Sequence, residues 1–413
     1  MMRYRLLTAT FAATAALNIA GPVQAAELEV THWWTSGGEA AAVAEFAKAF
    51  DASGHKWIDG AIAGSGGTAR PIMISRITGG DPMGATQFNH GRQAEELVEA
   101  GLMRDLTDIA EEGKWREVVH PSSLLDSCTL DGKIYCVPVN IHSQQWLWLS
   151  NAAFEKAGVP VPTNWEEYAA AAPALEEAGI IPLAVGQQPW QTTLAFQVLL
   201  TAIAGPDAYT KIFGEKDADL AAGEELAKVF EAAAQARSMS AKSNVQDWNQ
   251  ATNMVITGQA AGQIMGDWAQ GEFQVAGQVA GEDYTCLPGL GVNEVIMTGG
   301  DAFYFPVLDD EEKSAAQADL AKLMLSPEVQ VAFNLKKGSL PVRGDVDLEA
   351  ANDCMKKGLE ILAQGNIIQS PDQLMSADSL TQINDLFVEF FNNTSITAED
   401  AQKRFVDLVA NAD

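Results

Sequence analysis

From residue 27 to residue 101 the chain switches three times between strand-like and helix-like patterns, an order that few architectures satisfy. "ELEVTHWW" reads as a strand, and the segment from Glu39 reads as a helix. There Val43, Phe46, Ala47 and Phe50 keep the i, i+3, i+4, i+7 spacing of a buried stripe. "WIDGAIAG" is a second strand, followed by a Gly-rich turn and a helix through "RPIMISRITGG". "ATQFN" and "RQAEELVEAGL" complete the third pair. The alternation predicts an α/β fold around a parallel sheet covered on both faces. Ligands on such sheets sit beyond the carboxyl ends of the strands. Trp33–Glu39 and Gln87–His90 both fall at such ends.

The stretch "THWWTSGGE" sharpens that expectation. Adjacent strand side chains point to opposite faces, so Trp33 and Trp34 cannot both fill one core while on a strand. Sugar rings offer apolar C–H faces and a rim of hydroxyls. Aromatic platforms meet the first; carboxylates, amides and cations meet the second. This stretch supplies an aromatic pair and Glu39 within seven residues. The plainer alternatives are one tryptophan in the core with one between domains, and a glutamate that only complements its helix dipole.

The first 25 residues have the layout of a secretory signal. Arg3 and Arg5 are followed by an apolar run, with small residues before a cut after Ala25. Removing that segment leaves 24 basic against 55 acidic residues, a charge of −31. Such a surface repels nucleic acid and anionic lipid, and suits neutral or cationic small molecules. In an export setting Cys128 and Cys136, flanking "TLDGKIY", predict a disulfide across a hairpin turning at Asp131–Gly132. Cys286 and Cys354 form a second possible pair. No C-x-x-C is present and the five histidines lack ligand spacing, so no metal site or cofactor is expected.

Past "YCVPVNIH" the texture changes. Residues 150–285 are alanine-rich and mostly helical, "GVNEVIMTGGDAFYFPV" is strand-like again, and helices follow to the end. Without a long linker, two domains should interweave, crossing near 137–142 and 293–301.

The motifs "EVTHWWTSGGE", "GDPMGATQFNHG", "GKIYCVPVNIHSQQWLW", "GQAAGQIMGDWAQGEF", "GGDAFYFP" and "FNLKKGSLPVR" occur in order over nearly the whole chain. With them the chain resembles the bacterial extracellular solute-binding proteins of family 1 that serve sugar ABC importers, and more narrowly their glucose/mannose-binding branch. The resemblance implies a type II periplasmic-binding fold, in which a hinge joins two interwoven α/β lobes around a ligand cleft. It implies lobes of 26–138 plus 293–340 and of 139–292 plus 341–413. A monomeric periplasmic protein that carries a neutral sugar to a membrane permease would follow. The family's ligand shell falls on Trp33, Trp34, Glu39, Gln87, His90, Trp268, Asp301 and Lys337, with Trp190 a further wall. "TQFNH" is shifted by one against the usual order, which offers Asn89 in place of Gln87. A late histidine common in glucose binders is replaced by Gln369.

Other readings of these residues stand beside the resemblance. His142 could cap the hinge without meeting a ligand, Trp146 and Trp148 share a strand face suited to a core, and Asp301 with Lys337 could be a structural ion pair. The competing functions are binding of a short oligosaccharide and a secreted glycoside hydrolase using Glu39 and Asp301 as its carboxylate pair. No phosphate loop or G-x-S-x-G elbow is present, and no catalytic residue is assigned.

Overall fold

A computed structural model describes residues 25–413; apart from Ala25, the expected signal segment lies outside them. The three expected strands appear as Glu27–His32, Lys56–Ala61 and Ala85–Asn89, all parallel. The sheet is mixed, not all-parallel. Asp301–Tyr304 runs antiparallel beside Ala85–Asn89, and Cys136–Pro138 closes the edge. A second sheet orders Tyr284–Pro288, Trp146–Ser150, Ala260–Met265 and Ile181–Leu183.

Each sheet anchors its own apolar core. The first gathers Leu28, Val30, Phe46, Phe88 and Phe303, and the second Trp148, Phe196, Phe230, Phe387 and Phe405. Between the lobes a small sheet pairs Ile296–Gly299 with Ile367–Gln369 and with His142–Ser143. Three segments thus meet in this sheet, near 142–143, 296–299 and 367–369. Val342, Ala351, Met355 and Ile361 pack into the first core, beyond the expected end of that lobe at 340. They lie on the segment and helix (Asp353–Ala363) that run along the boundary before the third of these segments.

The Gly37–Ala52 helix begins at a reciprocal cap, in which Ser36 Oγ accepts from Glu39 N while the Glu39 carboxylate accepts from Ser36 N. Its Phe46 stacks on Phe333 at 4.3 Å. Trp146 and Trp148 stack at 5.6 Å inside the second core, so their shared strand face is packing surface.

Both cysteine pairs are bridged. Thr129–Leu130 and Lys133–Ile134 form a hairpin with a two-residue turn at Asp131 and Gly132, both at positive φ. Cys128 thus lies opposite Tyr135, yet reaches Cys136 with a Cα–Cα distance of 5.1 Å. Cys286 and Cys354, 6.1 Å apart at Cα, tie the second sheet to the boundary helix. Non-reducing peptide mapping of the exported protein is expected to recover both linked pairs; free thiols at these positions would contradict them.

Candidate functional site

A cavity of about 510 Å³ opens between the lobes. The first strand ends at His32, so Trp33 and Trp34 follow it, and the paired-face argument no longer constrains them. Trp34 is buried among Phe46, Phe303 and Phe333, with the Lys337 ammonium 5.5 Å from its ring. Trp33 is partly exposed on the same wall. The two tryptophans do different work: one fixes the wall to the core and the other presents an open face.

From the second lobe come Trp190, Trp248 and Trp268. The Trp268 ring centroid lies 6.0 Å from Trp190, 6.5 Å from Trp248 and 4.6 Å from His142. It folds back over Gly266, where a Cβ would fall 2.1 Å from the ring. The glycine of "GDW" is thus what lets the indole lie flat against its own backbone.

The polar floor is built from two buried ion pairs. Lys337, last residue of the Pro327–Lys337 helix, places Nζ 2.8 Å from Glu39 Oε1. The second pair centres on His142 of the hinge strand. Its Nε2 lies 2.7 Å from Asp301 Oδ2 and its Nδ1 3.0 Å from Asp267 Oδ1. Asn140 Nδ2 also donates to Asp301 Oδ2, at 2.9 Å, and Gln87 Nε2 to Oδ1, at 2.6 Å. The possible Asp301–Lys337 pair is replaced by these two partnerships.

Burial alone would lower the His142 pKa, but the Asp301 charge and hydrogen bonds to Asp267 and Asp301 lift it to about 9. The imidazolium in turn holds Asp301 below the usual carboxylate range against the opposing pull of burial. Burial raises Asp267, and its bond to His142 offsets only part of that rise. Asp301 belongs to the first sheet and Asp267 follows a strand of the second. A protonated histidine at the hinge therefore bridges the two lobes electrostatically.

The cavity brings together Trp33, Trp34, Glu39, Trp190, Trp268, Asp301 and Lys337 of the expected residues. Gln87 stands behind the floor, accepting from Trp33 N at 2.9 Å and donating to Asp301. Asn89 reaches the cavity in its place, as the register of "TQFNH" suggested. His90 is also removed from the cleft. It is fully buried and bonded through Nδ1 to Ser127 and Gln373, and burial pushes its pKa down to about 4.

Gln369 is exposed on the last hinge strand and faces a separate cavity near Tyr135 and Tyr304, so it does not take the place of the missing histidine. Sequence reasoning undervalued His142 and missed Asp267, Trp248 and Arg70. The first two sit inside "VPVNIH" and "GDW", and their partnership spans 125 residues.

The family model for bacterial extracellular solute-binding proteins matches residues 34–331. The chain is similar to a probable sugar-binding periplasmic protein of Brucella melitensis, 36% identical over 403 residues, covering 95% of this chain and 94% of the relative. A protein of the same description from Rhizobium meliloti is 38% identical over 362 residues, 86% of each chain. Among solved structures, a chitin oligosaccharide binding protein superposes with a TM-score of 0.75 at 19% identity, over 94% of this chain and 99% of that one.

Proposed function

Because the chain belongs to the bacterial extracellular solute-binding protein family, we propose that it captures a neutral sugar between its lobes and delivers it to the membrane permease of an ABC importer. The proposed ligand contains an aldohexose unit of the glucose or mannose kind, bound in the periplasm by a monomer. Among the described residues no helix is long and apolar enough to cross a membrane.

One observation carries the reading: a single cavity joins aromatic surface from both lobes to a floor of carboxylates each paired with a buried cation. The indole faces suit C–H surfaces of a ring, while Glu39, Asp301 and Lys337 can each hold further hydroxyls without demanding a charged ligand. The excess of acidic residues also favours a neutral sugar over an anionic one. Catalysis by the two carboxylates is poorly served. Asp301 has hydrogen bonds on both oxygens and a depressed pKa, so it is not poised as a general acid, and Glu39 Oε1 is taken up by Lys337. A sugar touching both walls binds the closed arrangement better than the open one, and that difference drives closure.

The test is a thermal-shift panel of sugars, amino acids and metal ions on the exported protein. A sugar at 100 times its dissociation constant stabilises by about 2.7 kcal/mol, which should raise Tm by several degrees. A shift with an amino acid or a metal and none with any sugar would overturn the reading.

A further inference from the structure

The cavity is larger than one sugar ring requires. A hexose has roughly the bulk of six waters, about 180 Å³ at ~30 Å³ each, whereas the cleft holds about 510 Å³. The ion pairs gather at its buried end. Its outer part runs between Gly66, Arg70 and Ile74 of the Ser65–Thr78 helix and Leu380, Asn384 and Asp385 of the Ala377–Asn392 helix. These helices belong to opposite lobes.

Three outer polar groups, Arg70, Asn384 and Asp385, differ from the floor in having no side-chain partners among the described residues. Among the described residues Arg70 makes neither a hydrogen bond nor an ion pair, although burial pulls its pKa down. Its guanidinium stays charged, with five donors and no acceptor. A partly desolvated cation with unmet donors is unfavourable until an acceptor arrives. Asp372, the nearby carboxylate, favours the guanidinium by its charge but makes neither a hydrogen bond nor an ion pair with it; its oxygens take Asn89 Nδ2 at 3.0 Å and Gln93 Nε2 at 2.9 Å. A Cβ on Gly66 would lie 3.4 Å from the Trp33 ring and 3.5 Å from Arg70 Nη1, so the glycine keeps a notch open between aromatic face and guanidinium. Across the cleft, the half-buried Asn384 and the exposed Asp385 form no side-chain hydrogen bonds among the described residues, so solvent holds them and a ligand can displace it. Donors from Arg70 on one wall and an amide and a carboxylate on the other fit a hydroxyl-rich, uncharged occupant. A carboxylate there would meet the charges of Asp372 and Asp385.

We infer that the outer cleft is a subsite for a second sugar unit, held by Arg70 from one lobe and by Asn384 and Asp385 from the other. The ligand is then a disaccharide or longer, with its first ring over the ion-paired floor; this rests on the sugar-binding reading above. Calorimetric titration of the whole exported protein with hexoses and their matched disaccharides tests it, in wild type, Arg70→Gln and Asn384→Ala. At least one disaccharide should bind tenfold or more tightly than its component hexose. Arg70→Gln should lower disaccharide affinity about tenfold while moving hexose affinity less than twofold. Asn384→Ala should act in the same direction, and it decides the matter if Arg70→Gln does not fold. Hexoses binding as tightly as every disaccharide, or variants that weaken both lengths equally, would overturn the second subsite and leave sugar capture standing. Binding of neither length would overturn both.

Discussion

Replacing His142 with alanine is expected to lower the unfolding free energy by about 3–5 kcal/mol, the usual consequence of stripping one partner from a buried charge cluster. The imidazolium touches Asp301 and Asp267 at 2.7 and 3.0 Å, and all three side chains are buried. Its removal leaves two carboxylates without their shared cation, with Lys337 already committed to Glu39. The same cluster makes stability depend on alkaline pH. The folded-state pKa of His142, about 9, lies above its ordinary value of 6.5, so folding takes up a proton in that interval. The stabilisation is complete below about pH 6.5 and is lost as pH rises through about 9. Urea unfolding near pH 6 and near pH 10 should show a fall of a few kcal/mol in wild type and a flatter profile in His142→Ala. Equal pH dependence in the two proteins would mean that the bridge is not charged.

That bridge also marks how far a sequence can be read. The alternation over residues 27–101 is a local pattern, and "ATQFN" appears as Ala85–Asn89 without a shifted end. Trp33, Trp34 and Glu39 were legible because aromatic and acidic groups sit together at one strand end. The mixed sheet was not, because the strand beside Ala85–Asn89 is Asp301–Tyr304, and no local period reports a neighbour so distant in the chain. The ion pairs failed for the same reason. Lys337 chose Glu39, 298 residues away, and Asp301 chose His142, 159 residues away. Gln369 illustrates the opposite error. It stands close to a crossing, but its place on the outer hinge strand turns it to a different cavity. Neighbourhood in sequence places a residue near a crossing and cannot determine which side of it a side chain will take.

Trp268→Ala is expected to weaken sugar binding by tens-fold or more, on the order of 2–4 kcal/mol, while leaving the fold intact. Trp268 is partly exposed on the cavity, packs on the rim of the second core and sits ahead of the Ala269–Val275 helix, so its truncation opens the cleft and leaves the buried core residues in place. Its neighbours have separate support. Trp190 Nε1 donates to Gln188 at 2.7 Å, Trp248 is buried in the second core, and His142 keeps both of its carboxylates. What disappears is one of three second-lobe indoles on the cavity, the one proposed to let a sugar ring touch both lobes. If, as proposed, closure is driven by contacts made only when the lobes meet, losing that face should lower affinity and also the fraction of closed protein at saturating sugar. Calorimetric titration gives the affinity, small-angle scattering with and without sugar gives the closure, and circular dichroism controls for folding. Wild-type affinity in a folded Trp268→Ala protein would remove this residue from the binding surface. The aromatic contact from the second lobe would then fall to Trp190, whose indole is already tied to Gln188 and is less free to follow a ligand.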